Sequence, residues 1–221
     1  MRSLRTVRKE SKGFTLVELM IATAVFGMVL LVIATAIINL SRLYYKGLTE
    51  TKVQAATRTI LDTVSQSIQF NGGAVTATAA SPTPGNSYAF CVGNTQYSYT
   101  VGYQLADAPT SGQTYHGVVA QDVAGCTSST PAQNVRVSSV VGREMLFPNM
   151  RLTKLEVLPV GAYYVINIRV VYGDDDLLYS PSNPSDTSGF LRADASCKNI
   201  RSGSQFCSVS DTTSVVTKRV E

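Results

Sequence analysis

The sequence predicts an α+β protein in which one long N-terminal helix packs on an antiparallel β-sheet head. Three observations carry that expectation. Leu19 to Ser41 is a run of 23 residues without a charge or a proline. Behind it, Val53, Ala56, Ile60, Val64 and Ile68 recur every three or four residues, the period of a helix with one apolar face. From residue 74 onward the helical pattern gives way to short runs rich in tyrosine and valine, separated by turn residues. The chain thus divides into a basic leader (1–13), an apolar helix (14–41), an amphipathic continuation (42–73) and a β-rich head (74–221).

The leader holds Arg2, Arg5, Arg8, Lys9 and Lys12 against Glu10 alone, a net charge of +4 that accounts for all of the chain's +4. Residues 14–221 carry 14 basic and 14 acidic side chains. A neutral remainder argues against general nucleic-acid binding, which needs clustered positive charge to release counterions.

The apolar run is long enough for a helix to cross a hydrocarbon core of about 30 Å. An ordinary secretory signal is shorter and ends in small residues at a cleavage site behind it. Here the composition breaks in front, at Gly13–Phe14. Arg8, Lys9 and Lys12 should stay cytoplasmic, so the far end points outward. Glu18 is the anomaly, because an acid near hydrocarbon is costly and ordinarily has a partner. The sequence offers it no obvious one, since Lys12 lies before the glycine. Cleavage after Gly13 would create one, a charged α-amine on Phe14 of the same chain or of a neighbour.

The amphipathic stretch is expected to end at the Asn71-Gly72-Gly73 break, and one helix from about Phe14 to Phe70 is predicted. Residues 74–87, small, polar and proline-containing, read as an exposed connection. Strands are predicted over 87–92, 96–105, 117–123, 134–141, 151–160, 162–172 and 213–220, with residues 173–189 as a loop. Alternation is clearest in Tyr97/Tyr99/Val101 and Tyr164/Ile166/Ile168/Val170, which implies one buried face.

All four cysteines follow the apolar run, an even count suited to disulfides in an oxidising compartment. Four cysteines allow three pairings. The short interval between Cys197 and Cys207 favours that bridge and leaves Cys91 with Cys126. No C-x-x-C pair accompanies the single histidine, His116, so zinc has little support, and His116 reads as an ordinary strand-edge residue. No phosphate-binding loop or catalytic constellation is recognisable, so neither enzyme chemistry nor a cofactor is expected. Asp174, Asp175 and Asp176 are the one dense acidic cluster and the only candidate for a cation such as calcium, but their spacing suits a solvated turn better.

The stretch "KGFTLVELMIA", residues 12–22, resembles the processing motif of type IV prepilins and pseudopilins. The resemblance covers about the first thirty residues. It implies a pilin-like fold, cleavage by a prepilin peptidase after Gly13, N-methylation of Phe14, and Glu18 as the acid that registers each subunit during assembly. It implies partners as well: other pilin subunits through the N-terminal helix, the peptidase, and an inner-membrane assembly platform. The precursor would sit as a single-pass inner-membrane protein with its head outside the cytoplasm, then enter a pilus or pseudopilus at the cell surface or in the periplasm. Many major pilins bend at a proline about twenty residues into the mature chain, where this sequence has Thr35, so the resemblance favours a minor pilin or pseudopilin over a major subunit. The tail from Gly203 onward is similar to the ends of minor-pilin-type sequences. The alternatives are a pseudopilin of a type II secretion or competence system, or a tip adhesin using a patch such as Arg192, Lys198 and Arg201. A further rival is an uncleaved membrane-anchored enzyme or sensor.

Overall fold

The computed structural model describes residues 13–71, 73–76, 78, 82–105, 115–126, 142–183, 189–198 and 203–219. The leader before Gly13, the expected strand at 134–141 and Arg201 lie outside the described residues. The chain divides into two compact units, residues 1–43 and 44–221. Helix α1 spans Leu16–Phe70 and continues unbroken through Gly27 and Thr35.

The second unit is built on two antiparallel sheets and a short ribbon. The first sheet has the order β1(Ser87–Val92), β2(Thr95–Thr100), β3(Val118–Asp122), β4(Gly142–Glu144). The second places β6(Tyr163–Tyr172) between β5(Met150–Val160) and β9(Ser208–Thr217). The ribbon pairs β7(Leu178–Tyr179) with β8(Ser196–Cys197), followed by a single 3-10 turn at Ser204–Phe206.

The helix stripe seen in the sequence is the one that is buried. Val53, Ala56, Ile60, Val64 and Ile68 are at most 1% exposed, while Glu50, Lys52, Arg58 and Asp62 face solvent. They share one core with Phe90, Tyr97 and Tyr99 of the first sheet and Leu155, Ile166 and Ile168 of the second. Aromatic stacking adds to the burial, with Phe90 and Tyr97 rings 5.0 Å apart. The Tyr97 hydroxyl is paired with Ser67 Oγ at 2.6 Å, so a polar atom carried into the core by its ring is hydrogen-bonded there.

Four sequence expectations are corrected. The strand expected over 96–105 stops at Thr100, because Gly102 takes a positive φ of 76° and its backbone crosses to β5, where its N–H donates to the Leu152 carbonyl at 2.7 Å. A Cβ at Gly102 would stand 2.2 Å from the Leu191 carbonyl, so only glycine fits that crossing. Strand β9 starts five residues earlier than its valines suggest, because it pairs with β6 along its whole length from Ser208↔Tyr172 to Thr217↔Tyr163. The connection after the helix is more than an exposed strap. Thr78 is buried and its hydroxyl accepts from the Val157 N–H at 2.9 Å, while Thr76 exchanges hydrogen bonds with Cys91, which stitches the connection to β5 and to β1. His116 lies just before β3 and is fully buried, with neither ring nitrogen hydrogen-bonded. Burial pushes its pKa down to about 4, against a lesser opposing effect of the Ser98 backbone.

The bridges Cys91–Cys126 and Cys197–Cys207 are both formed. One buried and one half-buried charged group had no signature in the sequence. Arg151 is fully buried and its guanidinium donates to Asp175, to Gln104 Oε1 at 2.8 Å and to the Gly189 carbonyl at 3.0 Å. The Glu144 carboxylate accepts backbone N–H bonds from Gly117, Val118, Met145 and Leu146 at 2.8–3.0 Å. Desolvation nevertheless holds the Glu144 pKa above its ordinary value, with those four bonds acting the other way.

Candidate functional site

Gly13, Phe14 and Thr15 precede α1 and are not helical. Nothing stands within 4 Å of the place a Gly13 Cβ would occupy, and Phe14 is 84% exposed. The Gly13–Phe14 peptide bond therefore lies in open, non-helical backbone immediately ahead of a helix. A protease must bind its substrate extended, and helical hydrogen bonds withhold a backbone from such binding. The bond that the sequence singled out is outside that protection.

The start of the helix has a local cause. Thr15 occupies the N-cap position, and the Glu18 N–H donates to Thr15 Oγ1 at 3.2 Å. In return Glu18 Oε2 accepts from the Thr15 N–H at 2.9 Å and from the Thr15 hydroxyl at 2.8 Å. This reciprocal pairing three residues apart is a capping box. It corrects the reading that Glu18 has no partner inside the chain. The T-x-x-E spacing at 15–18 is its signal in the sequence. The acid thus has one oxygen engaged by its own helix end.

Behind Glu18, as far as Leu43, no described residue covers the large apolar side chains of the helix. Leu16, Leu19, Phe26, Leu31, Ile37 and Leu40 are among a long series of large apolar side chains at least half exposed. Within the most apolar eighteen-residue window of this helix, none of the residues is buried. It is the one helix among the described residues long and apolar enough to cross a membrane. Both threonine hydroxyls of its apolar part are satisfied locally: Thr23 donates to the Leu19 and Met20 carbonyls and Thr35 to the Val32 carbonyl at 2.8 Å. Local satisfaction is what an apolar surrounding demands, since no water is there to pair with them.

The other sequence candidates fall elsewhere. Asp175 is paired with Arg151, the Asp174 carbonyl accepts from the Leu177 N–H at 3.0 Å, and the stretch forms a turn. Among the described residues no three His, Cys, Asp or Glu side chains converge as a metal site would require. Lys198 Nζ donates to the Asp175 and Asp176 carbonyls, which ties it into that turn. The Arg192 backbone N–H donates to Ser180 Oγ.

No curated protein and no solved structure matches the chain. The family model of the prokaryotic N-terminal methylation motif matches residues 8–34, a span that contains Gly13, Phe14, Glu18 and most of the apolar run. That match, with the capped helix start and the unburied apolar run behind it, makes this segment similar to the N-terminal segment of type IV prepilins and pseudopilins.

Proposed function

We propose that the protein is a minor pilin, inserted in the inner membrane by residues 14–41, cleaved after Gly13, methylated on Phe14 and assembled into a type IV pilus with Glu18 as the registering acid. The single observation that carries this reading is the open Gly13–Phe14 bond set directly before a capped helix whose apolar first part is unburied. Thr35, at the place of the bending proline of many major pilins, supports a minor rather than a major subunit. Residues 42–73 continue the helix as the amphipathic support of the head, and residues 74–221 form the exported part.

In this scheme the chain performs no turnover. Its chemistry is done to it by the peptidase, and its function is to present a helix that other subunits cover. Glu18 has to serve two partners, its own Thr15 and the α-amine of an incoming Phe14. A carboxylate has two oxygens and about four lone-pair sites, and the Thr15 contacts use Oε2, so Oε1 remains for the amine.

Coexpression with a prepilin peptidase should shorten the chain by the 13 residues of the leader and leave a methylated Phe14. Gly13→Val should block the cut, because a β-branched side chain would crowd the peptidase at the scissile bond. Intact mass spectrometry of the membrane fraction reads both. A native protein still beginning at Met1 would end this reading in favour of an uncleaved anchor.

A further inference from the structure

Three exposed aromatic residues gather where the apolar run ends. Tyr44 and Tyr45 are 63% and 48% exposed, and Phe206 is 43% exposed. The Tyr45 ring centroid lies 5.6 Å from that of Phe206 and 5.9 Å from that of Tyr44. The fold holds Phe206 in that position. Its 3-10 turn is closed by the Phe206 N–H to the Gly203 carbonyl at 2.9 Å, and the next residue, Cys207, is bridged to Cys197. The buried Thr49 hydroxyl donates to the Gln205 carbonyl at 3.1 Å, which fastens the turn to the helix one turn beyond Tyr45. A single exposed phenylalanine would need no explanation. A phenylalanine pinned outward against two exposed tyrosines has a cost in apolar exposure that the head itself does not recover.

We infer that Tyr44, Tyr45 and Phe206 form an aromatic collar that seats the head on the headgroup layer of the lipid bilayer before assembly. The inference rests on the reading of residues 19–41 as a membrane span. Tyr44 and Tyr45 follow Ser41 by three and four residues, a rise of about 5 to 6 Å along a helix. The headgroup layer on one side of a bilayer is about 5 to 7 Å deep, so both rings fall within it. Tyrosine suits that layer because its ring is apolar and its hydroxyl can remain wet. Phe206 reaches the same level through its contact with Tyr45, which makes the collar a joint product of the helix and a disulfide-fixed turn 160 residues away in sequence. Arg42 and Lys46 flank the tyrosines as cations at the depth of the lipid phosphates. Lipid is the occupant that the geometry selects, because the collar is continuous along α1 with the one segment among the described residues long and apolar enough for hydrocarbon.

The chain has no tryptophan, so one indole is a unique reporter. Full-length Phe206→Trp, Tyr45→Trp and, as a control on the same head, Phe70→Trp would be reconstituted in phosphatidylcholine–phosphatidylglycerol vesicles. Phe70 is 56% exposed and closes α1, 25 residues after Tyr45 and so about 37 Å further along the helix. With lipid brominated near the headgroup, Phe206→Trp and Tyr45→Trp should be quenched at least about twofold more than Phe70→Trp and emit further to the blue, as interfacial aromatics do. Vesicle flotation reads the anchor separately. Protein that floats with the vesicles while neither collar reporter is quenched more than the control would overturn the collar and leave the span intact. Protein that fails to float would overturn both. Quenching of Tyr45→Trp but not of Phe206→Trp would overturn the seat of the head, since the helix alone would then account for it.

Discussion

The two parts of α1 are made of similar residues and have opposite fates. In the part before residue 44, leucines, isoleucines and valines are spread around the helix and almost all are exposed; in the part after it, five apolar residues on one face are all but completely buried. The membrane-side part is the more apolar and the less buried. A soluble domain cannot leave so long a run of large apolar groups without cover. The distal part obtains its cover from the chain's own sheets. The first part obtains none from the described residues, and it is the part that the N-terminal methylation motif covers. Burial inside a single chain is therefore a map of which energies are internal to the head and which belong to an assembly.

The largest expected effect tests the external half of that comparison. Glu18→Leu should leave membrane insertion and head folding normal yet lower the ratio of filament-bound to membrane-bound protein on the order of a hundredfold, because removing one member of a desolvated ion pair strands the other. Glu18→Gln separates charge from capping, since glutamine serves a capping box as well as glutamate does. A glutamine variant as defective as the leucine variant would assign the loss to charge. Near-normal assembly of Glu18→Gln would assign Glu18 to the helix start alone.

The internal half is tested by matched truncations. Ile60→Ala, at a fully buried position, should destabilise the head by about 2 to 5 kcal/mol in chemical denaturation of the full chain in detergent. Cys91→Ser with Cys126→Ser should cost about 2 to 4 kcal/mol in the same measurement, through the loop they close. Peptide mapping without reduction checks the pairing itself.

A smaller effect concerns acid. The folded head keeps His116 neutral down to a pKa of about 4, whereas the unfolded chain takes up that proton near 6.5. The unfolded state therefore binds more protons between those values, and stability falls as pH is lowered from 6.5 toward 4. Glu144, held above its ordinary pKa, acts in the opposite sense just above the ordinary carboxylate range. His116→Gln should flatten the descent by on the order of 2 to 3 kcal/mol across that window. The readout is the slope of stability against pH, which a simple packing defect would not change. The smallest effect closes the comparison: Ile33→Ala, 49% exposed, should move head stability by less than about 0.5 kcal/mol. A loss as large as that of Ile60→Ala would mean the two parts of the helix do not differ as described.

The elements most legible in the sequence are those whose period is enforced along their whole length. Val53 to Ile68 announced the buried helix face, and Ser87–Val92, Met150–Val160 and Tyr163–Tyr172 lie within a residue of the runs that suggested them. What escaped was set by partners distant in sequence. Gly142–Glu144 becomes a strand because Val119–Gln121 pairs with it, and the Leu178–Tyr179 and Ser196–Cys197 ribbon is too short to show a period. The separation into two sheets was invisible for the same reason. Arg151 and Glu144 look like surface charges until the loops that bind them are in place. At the candidate site the composition break and the acid are plain in the sequence, whereas the Thr15–Glu18 reciprocity depends on where the helix starts, which the apolar run does not mark.

The order β5-β6-β9 has a consequence in time. Strands β5 and β6 are joined by the tight turn Gly161–Ala162 and can zip as soon as both are present, but β9 is separated from β6 by 35 residues of chain. Until it arrives, Tyr163 to Tyr172 is a bare edge of alternating tyrosine, valine and isoleucine, ready to pair with any extended chain nearby. A head threaded out of the cytoplasm N-terminus first would display that edge while its last strand was still in transit. The Cys197–Cys207 bridge ends one residue before β9, so its oxidation would bring the missing strand to the waiting edge. Export and oxidation would then act as a clock for this fold, and a delay in either would appear as aggregation outside the membrane rather than as a misplaced anchor within it.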